Sequence, residues 1–263
     1  MLNNCPTIKC RSLDPSLANI DSHLLHDVGL DAPKKRSAPT SAMTTGLNIA
    51  FLVFLMAVSS PCFAFGWFGD DLNGRPCTGH PQGYGPFDYT NPANKKFIHV
   101  VEIAHFLPYI EKLQHGRSGT LGAELNYTLL AVPNHHRALY SVIRYELNYK
   151  KNTLLTPPEC YLQRALAFKP DDAVVHMLYG LYLHRKDRYT LALEQYQAAE
   201  KLDPTSAELH YNLGLLYCEL KEYQKALAQA HLAYAKDYPL SGLRKKLQKA
   251  GVWQNKSKQA NKQ

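Results

Sequence analysis

The chain has no long hydrophobic run. Its longest, residues 47–58, spans 12 positions, whereas a membrane-crossing helix needs about 20. It has no Gly-x-Ser-x-Gly elbow: Ser118 sits in Gly116-Arg117-Ser118-Gly119, so the strained turn that presents a hydrolase nucleophile is missing. Gly119-Thr120-Leu121-Gly122 lacks the Gly-Lys-Ser/Thr ending of a phosphate loop. Acidic residues are absent from the last 20 positions, which carry Arg244, Lys245, Lys246, Lys249, Lys256, Lys258 and Lys262. Nucleophilic and nucleotide chemistry therefore have no support, and the formal net charge of +8 is concentrated at the C-terminal end. A basic tail can touch nucleic acid or an anionic membrane surface. Its commoner role is a solvated end, and the export signal described next argues against nucleic acid, leaving peripheral membrane contact as the tail's one alternative use.

Residues 47–58 follow Lys34-Lys35-Arg36 and precede Ser59-Ser60-Pro61-Cys62-Phe63-Ala64. A basic region, a short apolar core and small residues, in that order, mark a secretory signal peptide. Residues 1–64 thus read as leader and signal, with Met43 as an internal alternative start, and the expected destination is periplasmic or secreted. The competing expectation is an inner-membrane anchor through residues 47–58. Cleavage would leave Cys77, Cys160 and Cys218 of the six cysteines. An odd count sets no disulfide framework. Cys77 and Cys160 are free to pair in an oxidising compartment, and Cys218 reads as a packing residue on a helix.

Residues 65–120 begin as an irregular Gly- and Pro-rich segment in which Tyr84, Phe87 and Tyr89 are the natural anchors. Periodicity starts at Lys96, with Val100, Val101, Ile103 and Ala104, and Pro108 implies a break. Beyond residue 120 the dominant feature is a repeat. Pro133, Pro170, Pro204 and Pro239 are spaced 37, 34 and 35 residues apart, and a period near 34 means one helix pair stacked on the next. Gly180 matches Gly214, Tyr189 matches Tyr223, Ala192 matches Ala226 and Ala199 matches Ala233. Within residues 174–204, Val174, Val175, Leu178, Leu181 and Tyr182 recur at helical spacing. After Arg185-Lys186-Asp187-Arg188, so do Tyr189, Ala192, Leu193, Tyr196 and Ala199. Glycine and alanine at the crossing points let two helices approach closely.

The pattern Leu213-Gly214, Tyr217, Tyr223, Ala226, Ala233, Pro239, preceded by Tyr179-Gly180, Tyr182, Tyr189, Ala192, Tyr196, Ala199, Pro204, resembles the tetratricopeptide repeat. Ala230 stands where that family has an aromatic residue. The resemblance implies an all-α, short right-handed helical-repeat solenoid of about three pairs. The first pair is degenerate, from Ala138, Leu139, Val142 and Ile143 to Leu162, Ala165 and Leu166, and residues 121–132 precede it as a lone second helix. Leu243 and Leu247 mark a C-terminal capping helix. The expected organisation is thus 1–64 leader, 65–120 irregular segment and helices, 121–251 repeats with cap, and 252–263 basic tail. Gly85-Pro86-Phe87-Asp88-Tyr89, Ser118-Gly119 and Pro133-Asn134-His135-His136-Arg137 extend the likeness to a group of exported bacterial repeat proteins, which carries fold and compartment but no activity.

In the tetratricopeptide family the ligand lies on the concave face, lined by the first helix of each pair. Carrying those positions over gives Arg137, Tyr140 and Arg144 from the degenerate repeat, Val174, Met177, Leu181 and Arg185 from the next, and Tyr211 and Leu215 from the last. Of the family's carboxylate clamp only Asn212 is matched. The expectation is a protein–protein interaction scaffold that holds a peptide or protein partner, with no cofactor, metal or catalytic residue. Arg137 and Arg144 would favour an acidic portion of that partner. The alternative is a metal-binding or enzymatic accessory protein using His80, His99, His105, His115, His135 and His136. Against it, His99 and His105 point to different sides of a helix, adjacent His135 and His136 cannot both face one ion, and Glu102 and Glu111 have no periodic reason to converge.

Overall fold

The computed structural model describes residues 66–79, 83–148 and 154–253. The leader with its apolar run, the centre of the 148–158 loop, His80, and Lys256, Lys258 and Lys262 lie outside the described residues. Among those described, no helix is long and apolar enough to cross a membrane.

The segment expected to be irregular opens with a small antiparallel hairpin, β1 (Trp67–Asp70) and β2 (Pro76–Thr78), in which Gly69 faces Cys77. Strands of four and three residues are too short to show alternation in sequence. The turn is built by Asp71, whose Oδ1 accepts the N–H groups of Asn73 and Arg75, each at 2.9 Å, an Asx-type turn. A 3-10 turn, Pro92–Asn94, leads into α1 (Lys95–His105). Pro108 then starts a separate short helix, α2 (Pro108–Glu111), as proline at a first helical position should. α3 (Leu121–Ala131) is not alone: α1 packs on it, with Ile98 and Val101 against Ala131 and Val132, and Tyr84, Phe87 and Tyr89 close the same cluster.

The helix pairs follow. They are α4 (His136–Asn148) with α5 (Pro158–Phe168), α6 (Ala173–Arg185) with α7 (Tyr189–Leu202), and α8 (Ala207–Glu219) with α9 (Tyr223–Tyr234), then the cap α10 (Gly242–Lys249). The period governs the helix ends as well as the faces. Asp172 caps α6 through the N–H groups of Val174 and Val175, and Ser206, 34 residues on, caps α8 through Leu209. The turns inside each pair repeat too. Asp187 and Lys221 adopt left-handed φ of 57° and 60°, and the following N–H groups close back on Leu183 and Tyr217, each at 2.9 Å. His176 and His210 occupy equivalent places, each between a glutamine (Gln195, Gln229) and the carbonyl of the preceding Pro170 or Pro204.

Ala192, Ala199, Ala226, Ala230 and Ala233 are all fully buried between paired helices. The two repeat glycines meet different neighbours. A Cβ on Gly180 would lie 2.6 Å from the ring of Tyr196, whereas one on Gly214 would meet Leu243 of the cap, at 2.5 Å from Cδ2. Ala230 replaces the aromatic residue in the last pair, so the cap fills that space instead. Gly180→Ala should therefore cost about 1–3 kcal/mol, since a buried tyrosine ring cannot step aside. Gly214→Ala should be close to neutral, because a leucine tip on a terminal helix can move and alanine gains about 1 kcal/mol of helix propensity. Thermal denaturation of the two variants checks the ranking, and equal losses would refute this account of the difference.

The hairpin is tied to the first pair. Cys77 and Cys160 form a disulfide, Gln163 Nε2 donates to Asp70 O at 2.9 Å, and Leu72 N–H donates to Glu159 Oε1 at 3.1 Å. Tyr182 O–H donates to the other oxygen of buried Glu159 at 2.6 Å. Leu72 packs against both large core clusters. The pairing that the cysteine count left open is thus the bond that fastens the N-terminal segment to the repeats.

Candidate functional site

First helices α6 and α8 and the cap α10 line one groove of about 510 Å³, walled by Leu181, Arg185, Tyr211, Asn212, Leu215 and Lys246, among others. Side chains three, four and seven positions apart lie on one helical face, so Tyr211, Leu215 and Glu219 of α8 present a continuous stripe. Leu181, Arg185, Tyr211 and Leu215 of the predicted set meet here. Val174 is half-buried on the same face, and Met177 is buried, packing in the core of the last repeats.

The residues from α4 are placed differently. Tyr140 is 43% exposed, with the Arg144 guanidinium 5.0 Å from its ring centre. Arg137 is engaged within the chain: its guanidinium forks onto the Glu111 carboxylate and reaches Glu102 Oε1 at 3.4 Å. Glu102 and Glu111, with no sequence reason to converge, do so because α1 and α2 both pack near the start of α4. Arg144 donates to the carbonyl of Glu111 and to Ser141 Oγ at 3.3 Å. Two cations expected to meet a partner thus hold α1 and α2 against the array.

Histidines pair off separately. His105 Nδ1 lies 2.8 Å from Glu124, His135 Nε2 lies 3.1 Å from Glu102, and His136 Nε2 lies 3.0 and 2.9 Å from the two oxygens of Asp172. Asn134 donates to both Asp88 and Asp172, at 2.8 and 2.9 Å, joining the 83–91 loop to the α6 cap. Among the described residues no three His, Cys, Asp or Glu side chains are grouped to hold a metal ion. Cys218 is a free, half-buried thiol whose ionisation burial pushes up, which suits packing and not reactivity.

The groove residues missed from sequence include Gly242 and Lys246 of the cap. One further period finds them, since Gly242 lies 34 residues after Glu208 and Lys246 lies 34 after Asn212. Lys246 pairs with Glu219 at 2.6 Å, closing one end of the groove.

Stacked helix pairs with a 34-residue period and a groove along their first helices define a helical-repeat array of tetratricopeptide type. Residues 180–221 match the family model described as TPR repeat. Among curated proteins, the chain is 32% identical over 74 residues to Protein O-mannosyl-transferase F38B6.6 of Caenorhabditis elegans, a stretch covering 28% of this chain. The match takes in 11% of that protein's length, and the activity in its name belongs to that protein. The solved structure described as MamA AMB-1 P212121 is similar over 62% of this chain and 90% of its own, at 15% identity and a TM-score of 0.36.

Proposed function

We propose that the chain is an exported, non-catalytic scaffold that holds a peptide or a segment of another protein in the groove between α6, α8 and α10. The observation that carries this reading is the convergence of Leu181, Arg185, Tyr211 and Leu215 on one open concavity. Such a surface combines apolar and aromatic contact area with polar groups at its rim, the pattern of peptide-binding sites. Export is supported by the leader pattern and by the Cys77–Cys160 bond, since disulfides persist in oxidising compartments. The histidine region gains no separate chemistry on this reading: His105, His135 and His136 each serve a local carboxylate. No nucleic acid partner or cofactor is assigned, and the tail lysines are left to solvent or to an anionic membrane surface.

Site-specific photocrosslinking in cells tests the groove. A benzophenone side chain at Leu181 or Leu215 should yield a discrete adduct, and one at exposed Leu191 on α7 should not. Leu215→Arg should weaken the same capture by about 1–3 kcal/mol. Adducts from Leu191 alone would refute the groove as the binding face.

A further inference from the structure

Among the described helices, α1 alone turns three large apolar side chains to solvent: Phe97, Val100 and Ile103, at 36, 49 and 52% exposure. Spaced three apart, they climb the side of the helix opposite Ile98 and Val101, which α1 buries on α3. Phe87 of the preceding loop stacks on Phe97 at 5.1 Å with ring planes 7° apart, widening the patch. Contiguous apolar surface of this kind marks a contact face, unlike single exposed leucines. Cations stand at both ends of it. Exposed Lys95 and Lys96 open the helix, and Lys96 Nζ lies 4.8 Å from the centre of the Phe97 ring. At the other end, exposed Arg117 donates from Nη1 to the carbonyl of Ala104 at 3.3 Å. The carboxylates beside the helix are already held. Glu102 is engaged by His135 and Arg137, Glu124 by His105 and two backbone N–H groups, and Asp88 by Asn134 and Thr90. Among the described residues no carboxylate pairs with Lys95 or Lys96, so the rim of the patch is positive.

We propose that the outer face of α1 rests on an anionic lipid bilayer, with Phe97, Val100 and Ile103 in the headgroup boundary and Lys95, Lys96 and Arg117 against lipid phosphates. A small apolar patch inside a cationic rim is what such a surface takes up: apolar side chains enter the interface, and each nearby cation adds electrostatic attraction. Lysine stems can lie along the apolar patch while their ammonium groups reach the phosphates. A second copy of the chain fits worse. Antiparallel α1 helices would set Lys95 and Lys96 against Arg117, and parallel ones would set each cation against its own kind. Three side chains also fall well short of the roughly 800 Å² that each partner buries in a stable interface. This inference does not rest on the groove, whose lining residues include none from α1.

Cosedimentation of the protein, as isolated from cells, with phospholipid vesicles tests it. Vesicles of phosphatidylcholine mixed with phosphatidylglycerol should carry the chain down, those of phosphatidylcholine alone should carry far less, and added salt should weaken the binding. Val100→Ser with Ile103→Ser should weaken it about tenfold, and Lys95→Gln with Lys96→Gln about tenfold. Both pairs are exposed, so each variant should melt as the parent chain does. A benzophenone side chain at Val100 should form an adduct with phospholipid in the mixed vesicles, and one at exposed Leu191 should not. Absence of a lipid adduct at Val100 would overturn the proposal. So would an adduct at Val100, formed in cells, with another polypeptide or with the chain's own residues 1–65, since a protein would then cover the face. Binding that survives both pairs of changes but is lost when Lys256, Lys258 and Lys262 are changed would assign the lipid contact to the tail and overturn the role of α1.

Discussion

Replacing Cys77 and Cys160 together by alanine is expected to cost about 4 kcal/mol and to lower the melting temperature by about 10 °C. Their bond spans a sequence separation of 83 residues, and closing a loop that long removes much conformational freedom from the unfolded chain. The folded side of the balance points the same way. Cys77 and Cys160 are both buried, so truncation also removes packing around them. The damage should begin at the hairpin, because Leu72 and Gln163 hold it by single hydrogen bonds, and its strands pack chiefly on α5. Hydrogen exchange should then show residues 67–78 losing protection first while residues 207–234 keep theirs. Reductant should reproduce the effect in the unaltered chain. Protein isolated from cells without reductant should resist alkylation at both cysteines, and a reduced pair with an unchanged melting temperature would refute both the staple and the compartment it supports.

How legible each part was depended on whether its cause is local. Helix pairs 173–202 and 207–234 could be read directly, because glycine, alanine and the proline stop recur with one period and each acts within its own turn or across one neighbouring helix. The caps Asp172 and Ser206 follow the same period but came from the structure. The hairpin at 67–78 was not legible: its strands are short, and what holds them is a side chain at Glu159 and a disulfide to Cys160, more than eighty positions away.

The binding face shows the same division. Leu181, Arg185, Tyr211 and Leu215 came from the repeat register and line the groove. Arg137 and Arg144 share that register, yet α1 and α2, which precede the regular array, supply Glu102, Glu111 and the carbonyl that occupy them. Register locates a face. Which of its charges stay uncompensated is settled by the segments packed on its ends, and those segments follow no repeat.

His135 should be the most costly single truncation in that end assembly. It is fully buried, with Nε2–H donating to Glu102, Nδ1 accepting the Ala138 N–H at 3.2 Å, and the rings of Tyr89 and Phe106 at 4.4 and 4.8 Å. His135→Ala opens a cavity and strands the partners of both nitrogens, a loss of about 2–4 kcal/mol. Its pH signature is distinct. Burial is the chief reason the imidazole's proton affinity falls below its ordinary value of 6.5, so an unfolded chain takes up a proton on acidification before the folded one does. A folded pKa below the unfolded one gives stability that is present above the unfolded value and lost as pH falls through the folded value. Glu102, lowered chiefly by the hydrogen bond from His135, and Glu111, lowered chiefly by that from Arg137, add losses of the same sign below about pH 4.5. Stability should therefore begin to fall below about pH 6.5 in the parent chain. In His135→Ala it should be lower at neutral pH and flatter down to about pH 5. Denaturant titrations across that range measure both quantities, and an acid limb of unchanged slope in the variant would show that His135 does not set it.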